Sequence, residues 1–372
     1  MPSPPANIAA DIDAVIDDDD LVWRTPTPVT VAPRAHNSAG DLYLSPAEFT
    51  RVYELDSASA GFLDGTGVTI AVLGLSQIDP ADVATFRTGF GLPPIDFAQG
   101  AGVRTGGNVE IEAVLDVTWA GALAPAAHIR LVQIVGSSVT DVFRGLVGSN
   151  ADVISSSIDL CVKPRRRRAA ALRVLNRVLR QAKAQGQTVL VASGDNGNSE
   201  CGGGGFGLIE SSPFVTAVGG TVPLPQESDT GVALGYGNEV AWSKSGGGSA
   251  GGGRPSWQRG LPGRGRVLPD VAFPAEVIYP LVFGGRRILV GGTSAGTPAW
   301  AGVIARLVQQ RGRVGWINPR LYALGRAQKA GTGAAVFHDV VNGSNGTFAA
   351  GPGFDLVTGW GSIAGAAFLR NF

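Results

Sequence analysis

Four side chains have the types and settings of hydrolytic chemistry: Ser294, Glu112, Asp116 and Asp195. Ser294 lies in the small-residue stretch Gly291-Gly292-Thr293-Ser294-Ala295-Gly296, between the run Arg287-Ile288-Leu289-Val290 and the Ala/Val/Ile/Leu-rich residues after Pro298. The first run reads as a strand and the second as a buried helix. A hydroxyl on such a strand-to-helix turn stands at a surface opening, with backbone N–H groups aimed at an incoming carbonyl oxygen. That is where a nucleophile belongs, although a helix-capping serine accounts equally well for the stretch taken alone. Glu112 and Asp116 are four residues apart within Val109 to Leu123, a helical segment ended by Pro125, so both carboxyls share one face. Two carboxyls that close resist double ionisation and share a proton, which suits proton transfer in acid. The alternative is a solvated acidic face, but the neighbours are Val114, Leu115, Val117 and Trp119 rather than lysines. Glu110 is the competing carboxylate, with no acid four residues on. Asp195 follows the run Gln187 to Ser193 in a Ser-Gly-Asp-Asn-Gly turn, where it either forms an Asx turn or faces a site.

Histidine is scarce: only His36, His128 and His338 occur, and none sits in a Gly/Thr-rich turn that opens a helix. The base for Ser294 is therefore expected to be a carboxylate. His338, next to an aspartate, is the sole histidine alternative.

These residues need elements to hold them. Apolar, β-branched runs at Gly67 to Leu75, His128 to Val135, Ala151 to Ile158, Gln187 to Ser193 and Phe214 to Gly220 read as strands. Helical segments at Val109 to Leu123, Val139 to Gly148 and Ala169 to Ala184 alternate with them. Such alternation predicts an α/β fold with a parallel sheet covered on both faces and ligands at the carboxyl ends of its strands. SPAEFTRVYEL reads as a capped helix, with Ser45 as N-cap, Pro46 in first position and Glu48 completing a capping box. Residues 1–44, rich in Pro, Ala and Asp, read as an extended arm or processing remnant ahead of one domain over 45–372. Ser243 to Gln258 reads as a flexible glycine-rich surface segment.

The 372 residues carry 30 Lys and Arg against 30 Asp and Glu, a balance that points to neither nucleic acid nor an anionic membrane. Arg165 to Arg168 reads as a solvated helix start. No apolar stretch approaches the ~18 residues of a membrane span, and the N-terminus lacks a signal-peptide core. The spans Gly202 to Gly207 and Gly246 to Gly251 match G-x-G-x-x-G in composition without the strand-to-helix context of a dinucleotide site. Cys161 and Cys201 form either one disulfide or two free thiols.

Several separated stretches together resemble the sedolisin family of serine-carboxyl peptidases: SPAEFTRVYEL, EAVLD, ALAPAA, SGDNG, SGGGSAGGGRPSWQ, LPDVA, GGTSAGTPAWAG, INPRLYALG, HDV and AGPGFDLVTGWG. The resemblance covers residue 45 to the C-terminus and implies a subtilisin-like fold. It implies that Ser294 is the nucleophile of a peptidase acting in acid, Glu112 its general base, Asp116 the partner of Glu112 and Asp195 the oxyanion-hole acid. One Ca²⁺ is implied at the side chains of Asp339 and Asp355 and the carbonyls of Val340, Gly351 and Gly353, an oxygen-only set that suits this ion. A peptide or protein substrate, a monomeric state and an extracellular or acidic location follow from the same resemblance. It also implies a long prosegment, for which the residues ahead of Ser45 are too few. Ile158 stands where some relatives carry an aromatic residue. The competing functions are a catalytically silent binding or scaffold protein, and a non-peptidase serine hydrolase such as an esterase, which GTSAG fits poorly for lack of the G-x-S-x-G spacing.

Overall fold

The computed structural model describes residues 21–24, 43–56, 62–134, 138–162, 165–202 and 205–372. Most of residues 1–44, and with them His36 and the bulk of the expected arm, lie outside this set. Its described part is a strand, β1 (Leu21–Arg24), paired antiparallel with β6 (Asp159–Val162).

The expected alternation forms the centre of the molecule. Strands β2 (Thr69–Gly74), β3 (Asp96–Gln99), β4 (His128–Gln133), β5 (Val153–Ser156), β7 (Thr188–Ala192), β8 (Thr216–Glu227) and β12 (Val271–Pro274) lie in the order β12-β8-β7-β5-β2-β4-β3, parallel throughout. One further strand, β9 (Ala233–Ala241), adds antiparallel to β8. Successive residues of a strand point to opposite faces, so the continuous apolar runs feed two cores. Ile70 and Val72 of β2 pack on one side with Val114, Trp119 and Trp300, and Ala71 and Leu73 on the other with Phe143, Leu175 and Leu179. The first core is covered by α3 (Gly107–Leu123) and α6 (Thr293–Arg311), the second by α4 (Val139–Gly148) and α5 (Arg165–Ala184). The remaining helices are α1 (Pro46–Val52), α2 (Pro80–Gly89), α7 (Asn318–Lys329) and α8 (Gly365–Asn371). Ser45 caps α1 through the expected box, its side chain accepting from the Glu48 N–H while Glu48 accepts from the Ser45 N–H.

Chain direction reverses around β2, which pairs with β4 on one side and β5 on the other. At such a switch point the connections leave a crevice outside the carboxyl ends of the strands. Helices α3 and α6 cross beneath it in close contact: a Cβ on Gly302 would stand 2.6 Å from Leu123 Cβ. Arg306 ties the pair together by donating to Leu123 O and Leu55 O.

The run before Ser294 is a strand as expected, β14 (Arg286–Val290), and it pairs with β13 (Tyr279–Phe283) in a hairpin apart from the central sheet. Three local expectations need correction. Helix α6 starts at Thr293, five residues before Pro298, so Ser294 sits in the first helical turn and not in the turn that precedes it. The glycine-rich segment after Ser243 is not a loose surface loop at its start: residues 245–248 are buried, and Gly246 packs so closely on Ser193 O that a Cβ there would stand 1.9 Å from it. Arg168 is not simply solvated, since it donates to Ala250 O, Phe206 O and Gly207 O and anchors the start of α5 to the surrounding loops.

Candidate active site

Ser294, Glu112 and Asp116 come together in the core between α3 and α6, although 178 residues separate Asp116 from Ser294 in sequence. All three are buried: Glu112 is 3% exposed, Asp116 0% and Ser294 1%. Helix α3 holds the acids in the expected i, i+4 register, and every residue from Glu110 to Leu123 is buried. The neighbouring acid Glu110 belongs to a different set, bound to Arg104 Nε at 2.7 Å and the Gly106 N–H at 3.1 Å.

The chemical tension lies in what is missing. Glu112 Oε1 and Oε2, Asp116 Oδ2 and Ser294 Oγ are all buried without a completed hydrogen bond among the described residues. Buried polar atoms are nearly always paired, so four orphans in one place mark a site prepared to hold something else. Burial pushes the Glu112 carboxyl well up, with the Asp116 charge adding to it and the nearby Ser294 hydroxyl opposing. Burial likewise pushes Asp116 well up, against a hydrogen bond from Ser157. The two therefore hold a proton between them over the acidic range, as paired carboxyls do. That the Ser294 hydroxyl acts on Glu112 without a closed bond is the loose geometry expected of a catalytic contact before substrate arrives.

Ser157, one residue past β5, is a member the motifs do not point to. Its Oγ donates to Asp116 Oδ1 at 2.6 Å and lies 3.2 Å from Ser294 O. The second contact has a local cause. In a helix, Ser294 O would accept from the N–H of residue 298, and Pro298 has none. The proline thus frees a carbonyl that the Ser157 hydroxyl reaches. A run of three serines at a strand's carboxyl end, Ser155 to Ser157, is the sequence signal for this position.

Asp195 closes the site from the other side. Its turn follows β7, and the carboxyl caps α6 across 98 positions: Oδ1 accepts from the Thr293 N–H and from Thr293 Oγ1, both at 2.8 Å. The side chain that ordinarily does this is absent because the N-cap is Gly292. Gly292 has φ +121°, and a Cβ there would stand 2.6 Å from Asp195 Oδ2, so only glycine lets the acid sit this close. With Oδ1 taken by two donors, Oδ2 is the oxygen free to carry a proton. Asp195 is half-buried. Burial raises its pKa to about 6, opposed by the two Thr293 bonds and Lys244 and reinforced by Glu200.

His338 is elsewhere. Its ring stacks on Tyr236 with centroids 3.5 Å apart, and burial lowers its pKa to about 4. No hydrogen bond links it to Ser294, so the histidine-based alternative has no geometric support.

The residues of the expected calcium site also gather. Asp355 accepts from the N–H groups of Val357 and Thr358 at 2.8 Å and of Gly351 at 3.1 Å, while both oxygens of Asp339 face the Gly353 N–H at 3.0 and 2.8 Å. Burial raises Asp355 to about 6 and also raises Asp339, where Lys329 opposes. Among the described residues no three His, Cys, Asp or Glu side chains converge as a metal group. A cation here would rest on the Asp339 and Asp355 carboxylates and backbone carbonyls, an oxygen-only set that fits a hard cation in chemistry. Cys161 and Cys201 are joined in a disulfide, which decides between the two expected states.

No family model matches the chain. Kumamolisin of Bacillus sp. (strain MN-32) is 31% identical over 379 residues, covering 91% of this chain and 65% of the relative. Sedolisin of Pseudomonas sp. (strain 101) is 29% identical over 376 residues, covering 88% and 61%. The chain thus spans just under two thirds of the length of these curated relatives. Among solved structures, Pseudomonas sedolisin, described as a serine-carboxyl proteinase complexed with two molecules of pseudo-iodotyrostatin, superposes with a TM-score of 0.73 at 26% identity. That match covers 88% of this chain and 97% of the solved one, and it bears out the mainly parallel, subtilisin-like architecture.

Proposed function

Because this chain belongs to the sedolisin family, we propose that it is an acid-acting serine-carboxyl peptidase that cleaves peptide bonds through an acyl-enzyme on Ser294. The observation that carries the reading is the group of unpartnered buried oxygens of Ser294, Glu112 and Asp116 beside the Asp195 carboxyl. Glu112 takes the Ser294 proton as Oγ attacks the substrate carbonyl carbon. Negative charge then gathers on the carbonyl oxygen, where the Ser294 N–H and a proton on Asp195 Oδ2 stabilise it. Glu112 returns its proton to the leaving amine nitrogen as the C–N bond breaks. Water then attacks the acyl carbon and gives a proton to Glu112, which passes it to Ser294 Oγ as the ester bond opens and the acid product leaves. Asp116, held by Ser157, keeps Glu112 oriented and shares its proton.

Asp195 donates only while protonated, so activity declines as pH rises through about 6. A Ca²⁺ ion held by Asp339, Asp355 and the carbonyls of Val340, Gly351 and Gly353 would neutralise the buried Asp355 and the exposed Asp339 carboxylates and fix the loop from Gly351 to Asp355. The substrate is a peptide or protein, the active species a monomer, and residues 45–372 the peptidase domain behind an N-terminal arm. An extracellular or acidic compartment suits both the chemistry and the disulfide. No described helix is long and apolar enough to cross a membrane.

The test is peptide hydrolysis as a function of pH for wild type and Ser294→Ala. The wild type is expected to be active in acid, and Ser294→Ala to lose at least about 10⁴-fold while keeping its circular dichroism. Cleavage that survives in Ser294→Ala, or peaks at alkaline pH, defeats the reading.

A further inference from the structure

Glu200 has no place in the proposed reaction, yet it is 3% exposed and lies against the turn that carries Asp195. Its Oε2 accepts from the Asp195 N–H at 2.8 Å and the Asn196 N–H at 3.0 Å, and its two oxygens also accept from Asn196 Nδ2 at 3.1 and 3.2 Å. None of these contacts asks the carboxyl to donate. Gly194 makes room for it: at φ +103°, a Cβ would meet Glu200 Oε2 at 2.4 Å. The next residue is Cys201, joined to Cys161 beyond β5, so the carboxyl is pinned at the backbone as well as at its tip.

We propose that Glu200 is a positioning residue that fixes the Asp195 turn through its two backbone N–H groups and keeps a negative charge beside Asp195, so that Asp195 stays protonated and able to donate. This rests on the oxyanion role proposed for Asp195. A neutral amide oxygen would supply the acceptor that Oε2 offers to the two backbone N–H groups, and glutamate is rarely buried without a reason for its charge. Like charges disfavour a second ionisation nearby. The charged groups that act on Asp195 come from three elements: Glu200 in its own turn, Lys244 after β9, and Glu112 on α3; the N–H and hydroxyl of Thr293 at the start of α6 complete the set. Lys244 and Thr293 favour the ionised acid, and Glu200 works against them.

The test is Glu200→Gln, which keeps an acceptor for the Asp195 and Asn196 N–H groups, gives up the Oε1 contact with Asn196 Nδ2 and removes the charge. The alkaline limb of kcat/KM for peptide hydrolysis is expected to move to lower pH by roughly 0.5–1 unit. The ¹³C-observed titration of Asp195 should move by the same amount, and in an Asp195→Asn background the limb should no longer respond. A limb and a titration that stay put, or move to higher pH, overturn the proposal. The titration separates the two readings: Asp195 moving in a protein whose cleavage survives Ser294→Ala supports the charge effect while refuting the peptidase mechanism. Should Glu200→Gln not fold, Glu200→Asp carries the test: the shorter side chain draws the charge back from the turn, and the Asp195 titration is expected to move to lower pH by a smaller amount. A titration that stays put or moves to higher pH overturns the proposal.

Discussion

Two buried acids in this molecule have opposite surroundings. Asp270, 0% exposed, accepts from Arg266 Nη1 at 2.6 Å and Nη2 at 2.5 Å, from the Tyr322 hydroxyl at 2.7 Å and from the Ala217 N–H at 2.8 Å. Glu112 is as deeply buried and accepts nothing that closes. The first acid is neutralised and saturated, and it ties β11 (Arg266–Leu268), β12, β8 and α7 into one unit. The second is left with unmet demand, which a fold tolerates only where the surroundings hold it in place. Burial therefore does not separate the structural carboxyl from the one proposed to react; partner count does. Glu239 falls on the structural side, since Tyr53, Thr221 and Ser362 all donate to it.

The sharpest way to break this contrast is to mutate both sides. Glu112→Gln is expected to lower kcat/KM by roughly 10²–10⁴-fold, the usual range for loss of a general base, while its thermal unfolding stays at or above that of wild type. Asp270→Ala should do the reverse. It leaves Arg266 buried without its partner, at a stability cost of about 3–5 kcal/mol in denaturant unfolding, with kcat/KM per folded molecule within about twofold of wild type. Equal damage to stability from both would end the distinction.

A subtler probe is pH. Glu112, Asp116 and Asp195 all have carboxyl pKa values raised by folding, so the folded state holds protons more tightly than the unfolded chain. Their contribution is complete below the unfolded values near 4 and is lost as pH rises through the folded ones, about 6 for Asp195. Thermal midpoints should therefore fall between pH 4 and pH 7, and Asp195→Asn should flatten part of that decline. A midpoint that climbs over this range contradicts the sign. The smallest expected effect is that of a chelator: with Ca²⁺ at about 100 times its Kd, removal costs about 2.7 kcal/mol, and Asp355→Asn should abolish the difference between the two conditions.

What the sequence discloses follows from the range of the forces involved. The parallel sheet is legible because two-sided burial writes continuous apolar runs, and the Glu112/Asp116 pair because helical periodicity is local. The start of α6 is misread by five residues because its cap comes from Asp195, a partner 98 positions away that no nearby pattern announces. Ser157 and Glu200 escape for the same reason: each matters through bonds made after the chain has closed on itself. The buried start of the glycine-rich segment is hidden by composition, since a segment without side chains looks loose although it packs on Ser193 O.

Gly194 and Gly292 bear on how other chains of this fold are to be interpreted. At each, a methyl group would collide with a carboxylate, Glu200 in one case and Asp195 in the other, and the positive φ adds a second objection. These are spaces reserved for acids. A homologous sequence that kept the counterparts of Ser294, Glu112, Asp116 and Asp195 but carried alanine at the position of Gly292 would have lost the seat of the proposed oxyanion donor. Its inheritance of the motif would then be a record of ancestry and no longer of activity.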